Sequence, residues 1–195
     1  MRFGVFLFFF ASVMAARMVF AHTEGDLSGA GFVDGFLHPV TGLDHVVAMV
    51  AVGIWGAILK EPAIWILPIT FPLAMAFGGA LGIKGVPLPY TEIIIAVSGI
   101  VLGLLVATYR RTPLAVAAVV VGTFAIFHGH AHGMEAPGTA DPIAYCLGFV
   151  FATGLLHLSG IGIGVLDRFP VGNVVIRCVG SVIAITGAYF LIGSF

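Results

Sequence analysis

From residue 35 to the C-terminus the chain alternates between long apolar runs and brief polar breaks. Six apolar segments fall at about 35–59, 62–83, 90–109, 113–134, 142–166 and 172–193. Each approaches the roughly 20 residues that carry an α-helix across a hydrocarbon core of about 30 Å. The breaks are short: Lys60-Glu61, Lys84 to Pro89, Arg110 to Thr112, Glu135 to Asp141 and Asp167 to Val171. Pro62, Pro113 and Pro142 open three of the segments, where a missing N–H costs nothing. Pro68 and Pro72, inside the second segment, predict a kink. The pattern predicts an all-α, polytopic membrane protein whose residues 22–195 form one domain of six transmembrane helices.

The first 21 residues read as a signal peptide. Arg2 opens a positive n-region, Phe3 to Val13 form the apolar h-region, and Val19-Phe20-Ala21 supplies small residues for cleavage. Arg17 departs from this pattern, and an uncleaved first transmembrane helix is the alternative. Cleavage after Ala21 would expose His22, whose α-amine and imidazole are neighbouring nitrogen donors suited to a divalent transition metal. It would also start the mature chain in the periplasm, followed by a short polar, glycine-rich lead to residue 33. Counting spans from there puts Lys60, Arg110, Arg111, Arg168 and Arg177 on the cytoplasmic side and Lys84 outside, in accord with the positive-inside rule. Both termini are then periplasmic, and the location is the inner membrane of a bacterium.

Composition changes the expected solvent. The chain is 60% hydrophobic and 9% charged, against about 25% charged for a soluble domain, so lipid is its surroundings. A net charge of −1 and the lack of any basic run offer nothing to nucleic acid. Cys146 and Cys178 fall in opposite halves of the bilayer, too far apart for a disulfide, which needs Cα atoms within about 7 Å. They read as packing residues. No Gly-x-x-x-x-Gly-Lys-[Ser/Thr] loop is present, so ATP hydrolysis by that route is not expected. The spacings Gly99/Gly103 and Gly160/Gly164 read as close helix contacts.

Against this apolar background two polar clusters stand out. His38-x5-Asp44-His45 lies in the first segment, and Phe127-His128-Gly129-His130-Ala131-His132-Gly133-Met134-Glu135 ends the fourth. Ionisable groups in hydrocarbon cost a few kcal/mol each and persist mainly where they line a site or a path. On a continuous first helix, His38 and His45 would share a face about 10 Å apart in depth. His128, His132 and Glu135 share a helix face by i, i+4 and i+7 spacing, and His130 points elsewhere unless Gly129 and Gly133 loosen the helix. His22, His38, His128, His132 and Glu135 thus converge on the outer side. Asp44 and His45 lie deeper, and His157 deeper still.

Imidazole and carboxylate without thiolate suit divalent nickel, cobalt, zinc, manganese or iron and disfavour copper(I). Several partial sites in series suit an ion in passage better than one closed cage. Plainer roles also exist. His38 can be an interfacial polar residue, Asp44 and His45 a pair that fixes packing, His130 part of a metal-scavenging tract, and His157 a structural hydrogen-bonder. Glu92 reads as a charge at a helix N-terminus, and Met49, Met75 and Met134 as filler. Two other activities use the same residues. One is an intramembrane zinc-dependent hydrolase with an open metal position for water; the other is a haem carrier ligated by His45 and His157.

The two clusters resemble the signature motifs of the HupE/UreJ family of bacterial nickel/cobalt permeases, and the resemblance covers the whole chain. It implies a non-enzymatic protein that takes up Ni²⁺, sometimes Co²⁺, as transported ligand, with no catalytic cofactor, for hydrogenase or urease maturation. It further implies that His38, Asp44, His45, His128, His132 and Glu135 are the functional positions.

Overall fold

The computed structural model describes residues 30–135 and 141–194. The expected signal segment, its cleavage point and His22 lie outside them. Seven α-helices follow in order: α1 (Ala30–Thr41), α2 (Leu43–Leu59), α3 (Ala63–Ile83), α4 (Thr91–Ala107), α5 (Leu114–Met134), α6 (Pro142–Gly164) and α7 (Gly172–Gly193). A 3-10 turn, Val165–Arg168, extends α6, and no strand occurs among the described residues. The helix starts follow local chemistry. Pro62 and Pro113 cap α3 and α5, while the Asp141 carboxylate accepts from the Ile143 and Ala144 N–H groups at the head of α6. Pro68 and Pro72 both lie within α3, which continues through them.

The first apolar segment departs from expectation. It is two helices bent by 80° at Gly42, not one continuous span. Gly42 adopts an extended conformation (φ −84°, ψ 104°). Upstream, Pro39 within α1 lacks the N–H that would bond the previous turn. A proline followed by a residue of poor helix propensity is a weak place in any helix.

α3, α5, α6 with its 3-10 extension, and α7 are each long and apolar enough to cross a membrane; the bent α1–α2 pair makes a fifth such unit. α4 is apolar but has 17 residues. Large side chains such as Leu73, Val119, Ile143, Ile185 and Ile192 face outward. That apolar exterior fits a multi-pass membrane protein.

The bundle is organised around α2, in which every residue from Ala48 to Ile58 except Val50 is buried. It touches all six other helices. Glycines let the remaining pairs close on each other. Along the α3–α5 crossing, a Cβ added at Gly78, Gly82, Gly129 or Gly133 would overlap a backbone carbonyl of the facing helix. Similar contacts set Gly99 and Gly103 of α4 against α7, and Gly160 and Gly164 of α6 against α2, as their spacing predicts. Gly129 and Gly133 therefore do not loosen α5; they clamp it to α3, and the helix stays regular to Met134.

The two ends of the bundle differ in chemistry. At one end the Lys60 ammonium pairs with the Asp167 carboxylate, which also accepts from the Tyr109 hydroxyl at 2.8 Å. Burial and this hydrogen bond push the Tyr109 phenol up, so it remains a donor. Nearby the fully buried Trp55 donates from Nε1 to the Arg110 carbonyl at 2.9 Å. The opposite end carries His38, Asp44, Glu92, His132 and Glu135 around one cavity. Cys146 and Cys178 are free and exposed.

Candidate metal centre

The bend at Gly42 makes the site. His38 lies near the end of α1 and His45 near the start of α2, and their rings both meet one residue. His132 lies 4.7 Å from the His38 ring and 4.2 Å from the His45 ring, centre to centre. A straight helix would hold His38 and His45 about 10 Å apart along its axis. Gly42 also leaves room for the His45 and Asp44 side chains. A Cβ there would stand 3.0 Å from His45 Nδ1 and 3.1 Å from Asp44 Oδ1.

At the rim, one ligand atom each from His38, His132 and Glu135 lies within 4.8 Å of the others. The His38 Nε2 to Glu135 carboxylate distance is 3.7 Å, and the Glu135 side chain is 64% exposed. Behind this group the centre becomes dry. His45, His128 and His132 are buried, and the His45 and His128 rings are 4.8 Å apart.

Hydrogen-bond partners decide which nitrogens remain available. The Asp44 carboxylate, an acceptor only, lies 2.9 Å from His45 Nδ1. It takes that N–H and leaves the Nε2 lone pair facing away. Ser98 donates its single proton to the Ile95 carbonyl at 2.6 Å. Its oxygen therefore accepts from His128 Nε2, 2.9 Å away, leaving a lone pair on Nδ1. Both freed nitrogens, and both nitrogens of His132, are buried without a protein partner. Unpaired buried nitrogens of this kind cost about 1–3 kcal/mol each, and histidines held by an acceptor on one side are the usual arrangement of metal ligands.

The remaining histidines are placed differently. His130 donates from Nε2 to the Val86 carbonyl at 2.7 Å, tying α5 to the α3–α4 connection and turning away from the His38–His132–Glu135 group. His157, on α6, packs its ring 5.3 Å from Phe71. Phe71 in turn lies 5.6 Å from the His128 ring.

A family model described as HupE / UreJ protein matches residues 10–190. The chain belongs to the HupE/UreJ family. Among curated relatives, Protein HupE of Rhizobium leguminosarum bv. viciae is 46% identical over 173 residues, which cover 89% of this chain and 91% of that one. No solved structure matches it significantly.

In this HupE/UreJ chain three residues outside both motifs join the centre. Ser98 sets the orientation of His128. Phe71, fully buried, packs against the His128 ring. Glu92, in the first turn of α4, lines a cavity of about 260 Å³ with His38, Asp44, His45, His132 and Glu135. A second cavity, about 510 Å³, shares Asp44 and Glu92 and reaches the end of α7 at Tyr189 and Ser194. Glu92 thus faces the centre as well as stabilising a helix start. A lone serine in an apolar helix gives no sequence signal of its partner. Glu92 gave one, an acidic residue at the start of an apolar segment, which the helix-dipole explanation absorbed.

Proposed function

We propose that this protein carries a divalent transition metal, Ni²⁺ and as an alternative Co²⁺, across the bacterial inner membrane toward the cytoplasm, supplying hydrogenase or urease maturation. The observation that carries the reading is the His38, His132 and Glu135 donor set at an exposed rim, backed directly by buried histidines with unpaired nitrogens. An ion is first met by an exposed carboxylate and then by imidazole nitrogens. The donors are borderline rather than soft, which suits nickel and cobalt, admits zinc and disfavours copper(I). Asp44 stays behind His45 as the group that fixes its ring, so its charge offsets the ion's without closing the cavity. An inside-negative potential contributes about 4.6 kcal/mol per 100 mV to a divalent cation moving inward.

In this reading the rim faces the periplasm and the Lys60–Asp167 end the cytoplasm. The bent α1–α2 pair and α3 to α7 make six spans after a signal peptide cleaved at Ala21, with both termini periplasmic. His22 would then add two donors beside the rim, and His130 would brace it. The reaction is translocation, with no catalytic step assigned to any residue.

The test is uptake of radioactive nickel by cells expressing His45→Ala or Asp44→Ala. Accumulation should fall to background while the variants insert in the membrane at wild-type levels. Wild-type accumulation in both variants would remove the mechanism.

A further inference from the structure

The rings of the centre belong to a chain of neighbours that ends at His157. From His38 the steps are 4.7 Å to His132, 4.2 Å to His45 and 4.8 Å to His128. They continue 5.6 Å to Phe71 and 5.3 Å to His157. Phe71 is the one member without a nitrogen, and it is fully buried. His157 lies beyond it, about 22 Å along α6 from Pro142, past the middle of a core about 30 Å thick.

His157 is 2% exposed and belongs to none of the contacts that build the rim. One ring nitrogen bonds back to the Thr153 backbone, while Nε2 is buried with no protein partner. An unpaired buried nitrogen carries a desolvation cost that a bound ligand would offset.

Thr153 repeats the anomaly one turn away on the same face of α6. Its hydroxyl is fully buried and has no partner. Four other hydroxyls in the helices, those of Thr70, Ser159, Ser181 and Thr186, and that of Thr108 just past α4, donate to the carbonyl four residues back. Thr153 has the same option at Phe149 and does not take it. The two unpaired polar atoms thus lie one turn apart on one helix face, at the residue that ends this run of ring contacts.

We infer that His157 Nε2, with the Thr153 hydroxyl, forms an inner station for the same divalent cation, separated from the outer centre by Phe71. This inference rests on the uptake reading and extends it. The ion leaves the three-histidine cluster on one side of the phenyl ring and is received by a single imidazole on the other. A site with one nitrogen and one hydroxyl binds weakly, which suits release toward the cytoplasmic end.

The test is diffraction at the nickel absorption edge from crystals of the full chain soaked in a nickel salt, paired with uptake measurements. His157→Gln keeps a side-chain donor for the Thr153 carbonyl but loses the imidazole ligand. Wild type should show anomalous peaks at the rim and beside His157 Nε2. His157→Gln should keep only the rim peak and lose about tenfold or more in uptake rate. A rim peak alone in wild type, with water at His157, would overturn the inference and leave the uptake reading standing. No peak at either place, together with no nickel uptake, would end both. Should His157→Gln fail to fold, the wild-type map decides by itself.

Discussion

The Ser98 hydroxyl accepts a hydrogen bond from His128 Nε2 at 2.9 Å because its own proton is already given to the Ile95 carbonyl. That one contact selects the His128 tautomer and aims the Nδ1 lone pair. Neither residue can turn without leaving a buried polar atom unpaired.

Ser98→Ala removes the acceptor and leaves the His128 N–H buried and alone. Metal affinity of the purified protein should fall about 10- to 100-fold, the range for groups that orient a ligand. Stability should fall by about 1–3 kcal/mol. Calorimetric nickel titration checks the first and thermal unfolding in detergent the second. Ser98→Thr, which keeps the hydroxyl, should retain most of the affinity.

Gly42 serves the centre through absence of a side chain. In Gly42→Ala the new methyl would press on His45 Nδ1 and Asp44 Oδ1, at 3.0 and 3.1 Å, and push the pair from its place. Uptake should be lost while insertion is retained. Gly154→Ala is the control: nothing lies within 4 Å of its added Cβ, so uptake should stay at the wild-type level. Equal uptake in the two variants would show that the bend does not seat the pair.

Gly129→Ala and Gly133→Ala test the clamp beneath the second motif. Each new Cβ would overlap an α3 carbonyl, at Met75 or at Gly79. Separating two helix backbones is costlier than crowding a flexible side chain, so a loss of about 1–3 kcal/mol or more is expected. Thermal unfolding in detergent should show both variants well below wild type. Gly162→Ala, with open space around its added Cβ, should not shift.

Most of the helix framework was readable because a membrane imposes a length and an apolar character on every span. From the second segment onward, the expected limits 62–83, 90–109, 113–134, 142–166 and 172–193 fall within a few residues of the observed helices. The bend at Gly42 was not readable in that way. Pro39 and Gly42 mark a weak place in the helix, but hydropathy does not distinguish one helix from two at an angle. On a straight axis the seven-residue spacing of His38 and His45 means a difference in depth, whereas the turn brings both rings to His132. Residue types pointed to the candidate donors of both motifs. Long-range partners such as Ser98 for His128, or Val86 for His130, depend on which helices pack together, and no local pattern encodes that.

Lys60 offers a test at the other end of the bundle. Its backbone stands at φ 68° and ψ −168°, a region that is essentially glycine's and costs other residues about 1–3 kcal/mol. Its ammonium pairs with Asp167, but the Lys60 side chain is 54% exposed, and exposed pairs contribute only about 0–1 kcal/mol. Backbone strain therefore outweighs the ion pair. Lys60→Ala loses the pair and keeps the strain, so it should be slightly less stable than wild type. Lys60→Gly loses the pair and relieves the strain, at a cost of about 0.5–1 kcal/mol in extra chain entropy. It should therefore unfold at a higher temperature than Lys60→Ala, by the equivalent of about 1 kcal/mol. The reverse order in detergent melts would mean that relieving the backbone at Lys60 gains less than the chain entropy that glycine adds.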